Sequence, residues 1–492
     1  MNVRDRASLY AHHPVFNNTI YNLAPSSQQE AEFISRKEKR FREFLAKYAI
    51  RSASFDAAER GDPPKCHPDT RLAVQDSLAV WPDNPTAGPV RLISGWAGTG
   101  KTTIAQTMAE YWARQRRLAG SFFFFRSSTA RSSTDWFPQT ILNQLFQIAN
   151  LDITSLRDLS VTLVVWSDVV KALQSILPLS PPMIIIIDGL DECHDHNDQV
   201  SLLRSILNSI DQLGSSIKFL ISCRPERHLE DVFNKFAAKL GPSYRVRLGQ
   251  SAEDDQDIRT FTRASFDLIC DDRRKDGTMS IMDGVWPSDG QIEELVDRAS
   301  GQFIFAATVL SFVGDDEEDP VKLLNLVLER RSPSFQNIDA LYLVILERVV
   351  RTTPAHHRHL IYNLFFHVNC EPSSSTDIAE FWFEEEIAIN IRVRHLRALL
   401  VRHDAHAQDT KALIQFRHKS VHDFLARPSS PHPFSLAQMN PACKFFFFFR
   451  RSVKKASQYF DFQRLRGSQW LGYAFLYRED QPVRVSAIHL ML

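Results

Sequence analysis

The sequence predicts an α/β fold: a parallel sheet with helices on both faces, followed by helical and winged-helix-like modules. Three observations carry that expectation. Five short apolar runs (90–94, 121–125, 183–187, 218–222 and 244–248) alternate with helical patterns near 102–117, 136–149, 161–177, 197–213 and 228–239. Runs apolar on both faces and separated by helices suit a parallel sheet covered on both sides. After Gln250 the strand-like runs stop, and glycine is absent between Asp315 and Arg466. Glycine weakens helix interiors, so a long glycine-free stretch points to packed helices.

Taken in order, the chain opens with one clear helix. Ser27-Gln-Gln-Glu30 has the capping-box pattern, and Phe33, Phe41, Phe44, Leu45 and Tyr48 recur at helical spacing, with Lys37 breaking the stripe. Residues 61–89 are rich in proline and turn formers and read as a connector carrying one short helix, 72–80. Beyond the α/β region, 255–268, 291–313 and 321–330 read as helices, the last two separated by the acidic loop DDEEDP, and 340–350 and 356–367 continue them. Helices followed by a short apolar pair, 398–401 and 412–416, suit a winged-helix module. The expected units are a helical segment (1–64), an α/β domain (65–250), a helical domain (251–335), a winged-helix-like domain (336–430) and a C-terminal segment of unassigned fold (431–492).

Composition narrows the class. Lysine plus arginine total 58 of 492 residues, and aspartate plus glutamate also total 58. That balance argues against bulk binding to nucleic acid or anionic membranes. The six cysteines are scattered without a CxxC pair, which fits a reducing compartment rather than a disulfide framework or zinc site. No apolar run approaches the ~20 residues of a membrane span, and the start lacks a secretory signal, so a cytoplasmic protein is expected.

The most specific motif is Gly95-Trp96-Ala97-Gly98-Thr99-Gly100-Lys101-Thr102-Thr103, which matches G-x-x-x-x-G-K-[ST] at every fixed position. It follows a predicted strand and opens a predicted helix, the context that confirms a P-loop. Glycines let backbone N–H groups curve around phosphate oxygens at a helix N-terminus. Lys101 would reach the β- and γ-phosphates, and the Thr102 hydroxyl would ligate Mg²⁺.

A buried run ending in acids follows: Met183-Ile-Ile-Ile-Ile-Asp188-Gly-Leu-Asp191-Glu192. Asp188, first off the strand, is the natural metal-side acid; Asp191 and Glu192 are candidates for polarising the attacking water. A helix-capping cluster is the competing explanation. Cys193-His194-Asp195-His196 has metal-ligand residue types, but adjacent residues rarely converge on one ion, and the expectation is a polar loop. The next strand ends in Cys223-Arg224-Pro225-Glu226. Parallel strands deliver their C-terminal ends to one crevice, so Arg224 either faces the γ-phosphate or is a surface arginine in a turn.

In this order, GWAGTGKTT, IIIIDGLDEC and FLISCRPE resemble the NACHT branch of the STAND NTPases, nearest to fungal NLR-like proteins with a nephrocystin-3-like nucleotide-binding domain. The segments 66–71, 299–308, 339–346 and 416–425 are similar to the family's lead-in, helical and winged-helix pieces. The resemblance covers about residues 65–430. It implies a switch: ADP holds the modules closed around the nucleotide, and exchange for ATP permits opening and self-association. It also implies that a winged-helix histidine touches the ADP phosphates, by position His418, with His422 second.

The expected ligands are therefore ATP or ADP, with GTP not excluded, and Mg²⁺; protein partners or self-association are expected on activation. Slow hydrolysis serving a signalling switch of innate-immunity or self/non-self type is the leading reading. A fast-turnover P-loop machine and a scaffold that binds nucleotide without turnover are the alternatives. Neither the familiar sensor repeats nor an effector domain is recognisable, and Phe445–Phe449 with the tail after it match no known pattern.

Overall fold

The computed structural model describes residues 27–60, 63–126, 128, 130–148, 164–177, 181–275, 286–315, 318–329, 337–370, 373–403, 412–427 and 434–436. The phenylalanine run at 445–449 lies outside them, as do the side chains of Phe33 and Lys37.

The central sheet has five parallel strands: β1 (Val90–Ser94), β2 (Leu118–Phe123), β3 (Met183–Asp188), β4 (Ile217–Cys223) and β5 (Arg245–Arg247), in the order β2-β3-β4-β1-β5. The alternation of β3 explains its double covering. Ile185 and Ile187 face one core, with α4 (Phe137–Ile148), α5 (Trp166–Gln174), α6 (His196–Leu213) and α7 (Arg227–Leu240). Ile184 and Ile186 face the other, with α2 (Leu72–Val80) and α3 (Lys101–Arg114). Successive strand residues point to opposite faces, so a strand buried on both sides must be apolar throughout. The N-terminal helix α1 (Ser27–Tyr48) packs Phe41 and Leu45 into the first of these cores.

The structure departs from the sequence expectation at two places. The second strand was expected at 121–125 but runs Leu118–Phe123. Phe124 and Phe125 have left the sheet: Phe124 N still donates to Asp188 O, but Phe125 N turns to Arg131 O. The helix expected at 291–313 is two helices, α9 (Asp289–Ala299) and α10 (Phe303–Val313). Between them Ser300 and Gly301 take positive φ, 48° and 74°. A Cβ on Gly301 would sit 2.6 Å from Gly249, so this break is where the helical half abuts the sheet domain.

The remainder shares one apolar core. It comprises α8 (Ala252–Lys275), α9, α10, α11 (Pro320–Glu329), α12 (Asn337–Thr352), α13 (Arg358–Cys370), α14 (Ser375–Trp382), α15 (Glu386–His395) and α16 (Lys419–Ala426). A small antiparallel sheet, in the order β6 (Ser373–Ser374), β8 (Leu413–Phe416), β7 (Leu400–His403), lies among the last helices and gives the winged-helix-like arrangement. Its two-residue strand β6 was too short to leave a period in the sequence. Helix α16 starts directly after β8 and projects back onto the C-terminal edge of the large sheet. No described helix is long and apolar enough to cross a membrane.

Candidate functional site

The loop between β1 and α3 is shaped for an anion. Gly98 and Gly100 have φ of 79° and 90°, which L side chains seldom adopt. Gly98 is also fixed by packing, because a Cβ there would lie 2.0 Å from Ile304 Cγ2, and its carbonyl accepts from Ile304 N at 3.1 Å. The backbone N–H groups from Gly98 to Thr103 donate to no acceptor among the described residues, the first helical bond being Ile104 N to Gly100 O. Unpaired N–H groups at a helix start, on a loop where side chains are excluded, are the donor set that phosphate oxygens need. The residues present fit a nucleotide phosphate. Lys101 Nζ bonds Gly95 O and Trp96 O, each at 2.8 Å, so its ammonium arches over the loop. Burial draws Lys101 below its ordinary pKa, aided by Arg224 and opposed by Asp191 and Asp188. Trp96 is exposed, and Thr99 Oγ1 closes the turn on Trp96 O at 3.0 Å. Ala97 and Thr103 are half-buried, and Thr103 O accepts from Thr107.

Strand order sets the rest of the geometry. Because β4 lies between β1 and β3, Arg224 emerges between the phosphate loop and the acids. Asp188 is buried and accepts a short bond from Ser222 Oγ, and Thr102 also bonds it. Burial raises its pKa, with Ser222, Thr102, Arg60 and Lys101 opposing. Thr102 and Asp188, the predicted Mg²⁺ pair, are thus together.

Asp191 is tightly held. Arg224 N donates to its Oδ1 at 3.1 Å, Arg224 Nε lies 3.2 Å from Oδ2, and Lys419 Nζ lies 3.3 Å from the same oxygen. Burial alone would raise its pKa, but Lys419, Lys101 and Arg224 outweigh it and hold the carboxylate ionised. Glu192 differs: its Oε2 accepts from Arg126 N at 3.1 Å, and burial pushes its carboxyl up. Of the two predicted water-polarising acids, Glu192 is the one not saturated by cations.

The winged-helix-like segment completes the site. His418 caps α16, its Nδ1 accepting from Ser420 N at 3.1 Å, which leaves the ring proton on Nε2. Ser420 Oγ lies 2.7 Å from the same Nδ1 and 2.6 Å from Tyr342 OH, fixing the ring. Burial, with the charges of Lys101, Arg224 and Lys419, lowers His418 to about 3 against the pull of Asp423, so it is neutral and Nε2 is a donor. His422 sits differently, with Nδ1 3.5 Å from Asp423 Oδ1 and its ring against Phe416. Arg224 Nη2 reaches Asp423 Oδ2 at 3.2 Å, and Asp423, lowered by His422, Arg224 and Lys419 despite burial, stands at about 2.

Sequence reading missed Lys419, Asp423, Ser222 and Arg71. Arg71 has φ 57° and is buried. It ion-pairs with Asp254, donates to Thr99 O at 3.1 Å and stacks 4.8 Å from the Phe303 ring. It ties the segment before β1 to the phosphate loop, α8 and α10. Its only sequence signal was its place at the end of the family-like lead-in.

The fold and this site define a P-loop nucleotide-binding domain. Residues 71–224, less than half of the chain, match the family model described as nephrocystin 3, N-terminal. No curated protein matches the chain. Among solved structures it is similar to Cdc6p from Pyrobaculum aerophilum, at 14% identity and TM-score 0.32, over 72% of this chain and 90% of that one. The Aeropyrum pernix Orc1 protein in complex with DNA gives the same identity, coverage and TM-score: 14%, 72% and 90%, and 0.32. Drosophila ORC bound to DNA gives 10% identity and TM-score 0.34, over 71% of this chain and 92% of that chain. All three superpose loosely.

Proposed function

We propose that this chain is an ATP/ADP-binding switch of the NACHT, NLR-like type, in which the winged-helix-like segment closes over the nucleotide and restrains hydrolysis. The observation that carries this reading is the reach of α16 and its cap across the cleft. His418, Lys419 and Asp423 lie against Lys101, Asp191 and Arg224, so the phosphate loop, the loops after β3 and β4, and α16 form one charge network. A machine built for rapid turnover needs its water-polarising acids free, whereas here Asp191 is neutralised from both sides.

The residues divide the work. Backbone N–H groups of 98–103 and the Lys101 ammonium hold phosphate oxygens. Thr102 and Asp188 would hold Mg²⁺, which would offset phosphate charge. Asp191 would polarise the attacking water once Lys419 leaves it on opening, with Glu192, whose carboxyl burial pushes up, as the second candidate. Arg224 exchanges Asp191 and Asp423 for the γ-phosphate. His418 Nε2–H donates to the β-phosphate in the closed form and loses that contact on opening, which supplies the differential interaction a switch needs. The five described cysteines are free, in keeping with a reducing cytoplasm. Self-association on opening belongs to the same reading.

Lys101→Ala tests the cradle: ATP and ADP affinities fall by at least ~100-fold, since a charge-assisted phosphate contact is lost in a partly dehydrated site. Unchanged affinity for both nucleotides in that variant would sink the assignment.

A further inference from the structure

Two loops leave the C-terminal edge of the sheet beside the cleft, one from β3 to α6 and one from β4 to α7. Each brings an imidazole to the first turn of its helix. The His196 and His228 rings stack with centroids 4.4 Å apart and 13° between planes. Glu226, just before α7, places Oε2 3.7 Å from His228 Nε2. One ligand atom from each of the three residues lies within 4.8 Å of the other two.

The local fold does not require these side chains. Helix α6 is capped by Asp195, which accepts from Asn197 N and Asp198 N, and Glu226 makes no capping bond to α7. The His196 ring hydrogen-bonds to no described residue. His228 Nε2–H donates to Oε1 of buried Gln199 at 2.6 Å, because the Gln199 amide nitrogen is committed to Cys193 O at 2.7 Å, so Nδ1 is the ring nitrogen left to take an ion. An outer partner of this kind is what orients a metal-binding imidazole.

We propose that His196, Glu226 and His228 bind a divalent transition metal of the zinc class, with water completing the shell. Two imidazoles and one carboxylate suit such an ion, whereas Mg²⁺ and Ca²⁺ take oxygen ligands. Bonds of ~2.0–2.2 Å at tetrahedral angles put ligand atoms ~3.3 Å apart, a closure that side-chain rotation at this partly exposed site supplies. The site is separate from Thr102 and Asp188. Its effect is mechanical: an ion joining His196 to Glu226 and His228 clamps the loop bearing Asp191 to the loop bearing Arg224 and holds that pair in register. One ligand, His196, comes from the Cys193-His194-Asp195-His196 run, which the sequence alone reads as a polar loop; the other two come from the neighbouring strand's loop.

The test uses the full chain, freed of metal by chelation, reloaded with Zn²⁺ or Co²⁺ and dialysed against Mg²⁺ buffer. Wild type retains one more equivalent of zinc than His196→Asn/His228→Asn, so that zinc held elsewhere on the chain cancels in the difference. Cobalt-loaded wild type shows a visible ligand-field band of tetrahedral intensity that the double variant lacks. Glu226→Gln provides a second comparison if the double variant fails to fold, and it weakens zinc binding ~10–100-fold. Equal zinc retention by wild type and the folded variants, or no cobalt band in wild type, would overturn the proposal.

Discussion

Lys419 Nζ lies 3.3 Å from Asp191 Oδ2, joining residues 228 positions apart, and both side chains are buried, at 8% and 3% exposure. Arg224 approaches the same oxygen from the sheet side at 3.2 Å and reaches on to Asp423 of α16. An acid with two cations on one oxygen is a poor proton acceptor, so in the proposed switch this contact would both close the cleft and quiet the chemistry within it.

Removing the lysine therefore loosens closure. Lys419→Ala releases ADP about tenfold faster and hydrolyses ATP faster than wild type, as expected for a coupling of ~1–3 kcal/mol. Stopped-flow release of a fluorescent ADP analogue reads the first effect. Release at the wild-type rate would show that α16 does not restrain the site.

Arg224 bridges two carboxylates, so its partners are energetically linked. A double-mutant cycle with Arg224→Ala and Asp423→Ala gives a coupling of ~0.5–3 kcal/mol in urea unfolding. Additive effects would mean that the 3.2 Å contact contributes nothing to closure.

Gly98 answers to two constraints at once, its φ of 79° and the approach of Ile304. Gly98→Ala loses nucleotide binding and ~1–3 kcal/mol of stability. Adding Ile304→Ala removes the clash but not the backbone strain, so stability returns only in part. Full recovery of nucleotide binding in the pair would show that the left-handed backbone is not needed.

His418 sets a pH dependence in the nucleotide-free chain. The closed form keeps it neutral down to about 3, while a solvated histidine protonates near 6.5. Between those values the unfolded chain binds the extra proton, so this contribution to stability is complete above ~6.5 and declines as pH falls. His418→Asn retains a capping side chain without a titrating ring. Thermal midpoints of the two proteins diverge at pH 7 and converge toward pH 5, which isolates His418 from other shifted groups. Parallel curves would contradict the burial of His418 in the network.

What the sequence showed and what it hid follow from how far each signal reaches along the chain. The phosphate loop, the acids of β3 and the doubly buried strands are local patterns, written within a few residues, and all were legible. The end of β2 and the break at Ser300–Gly301 were misplaced, because both are decided by packing partners far away in sequence. The family resemblance pointed to His418. Lys419 and Asp423, its neighbours, were passed over because a charged pair on a short helix has no pattern until the acid that it meets is known. Arg71 was hidden for the same reason: its partners are Asp254, Thr99 and Phe303, on three other segments.

In the proposed switch, α16 and its cap hold the cleft closed over nucleotide. This closure is tested most directly by quantifying the nucleotide that stays with the full chain through gel filtration, after release by denaturation. Close to one ADP per chain is expected in wild type, and much less when Lys419 is replaced by alanine. Wild-type protein that emerges empty yet hydrolyses ATP at the ~1–10³ s⁻¹ of ordinary enzymes would contradict it.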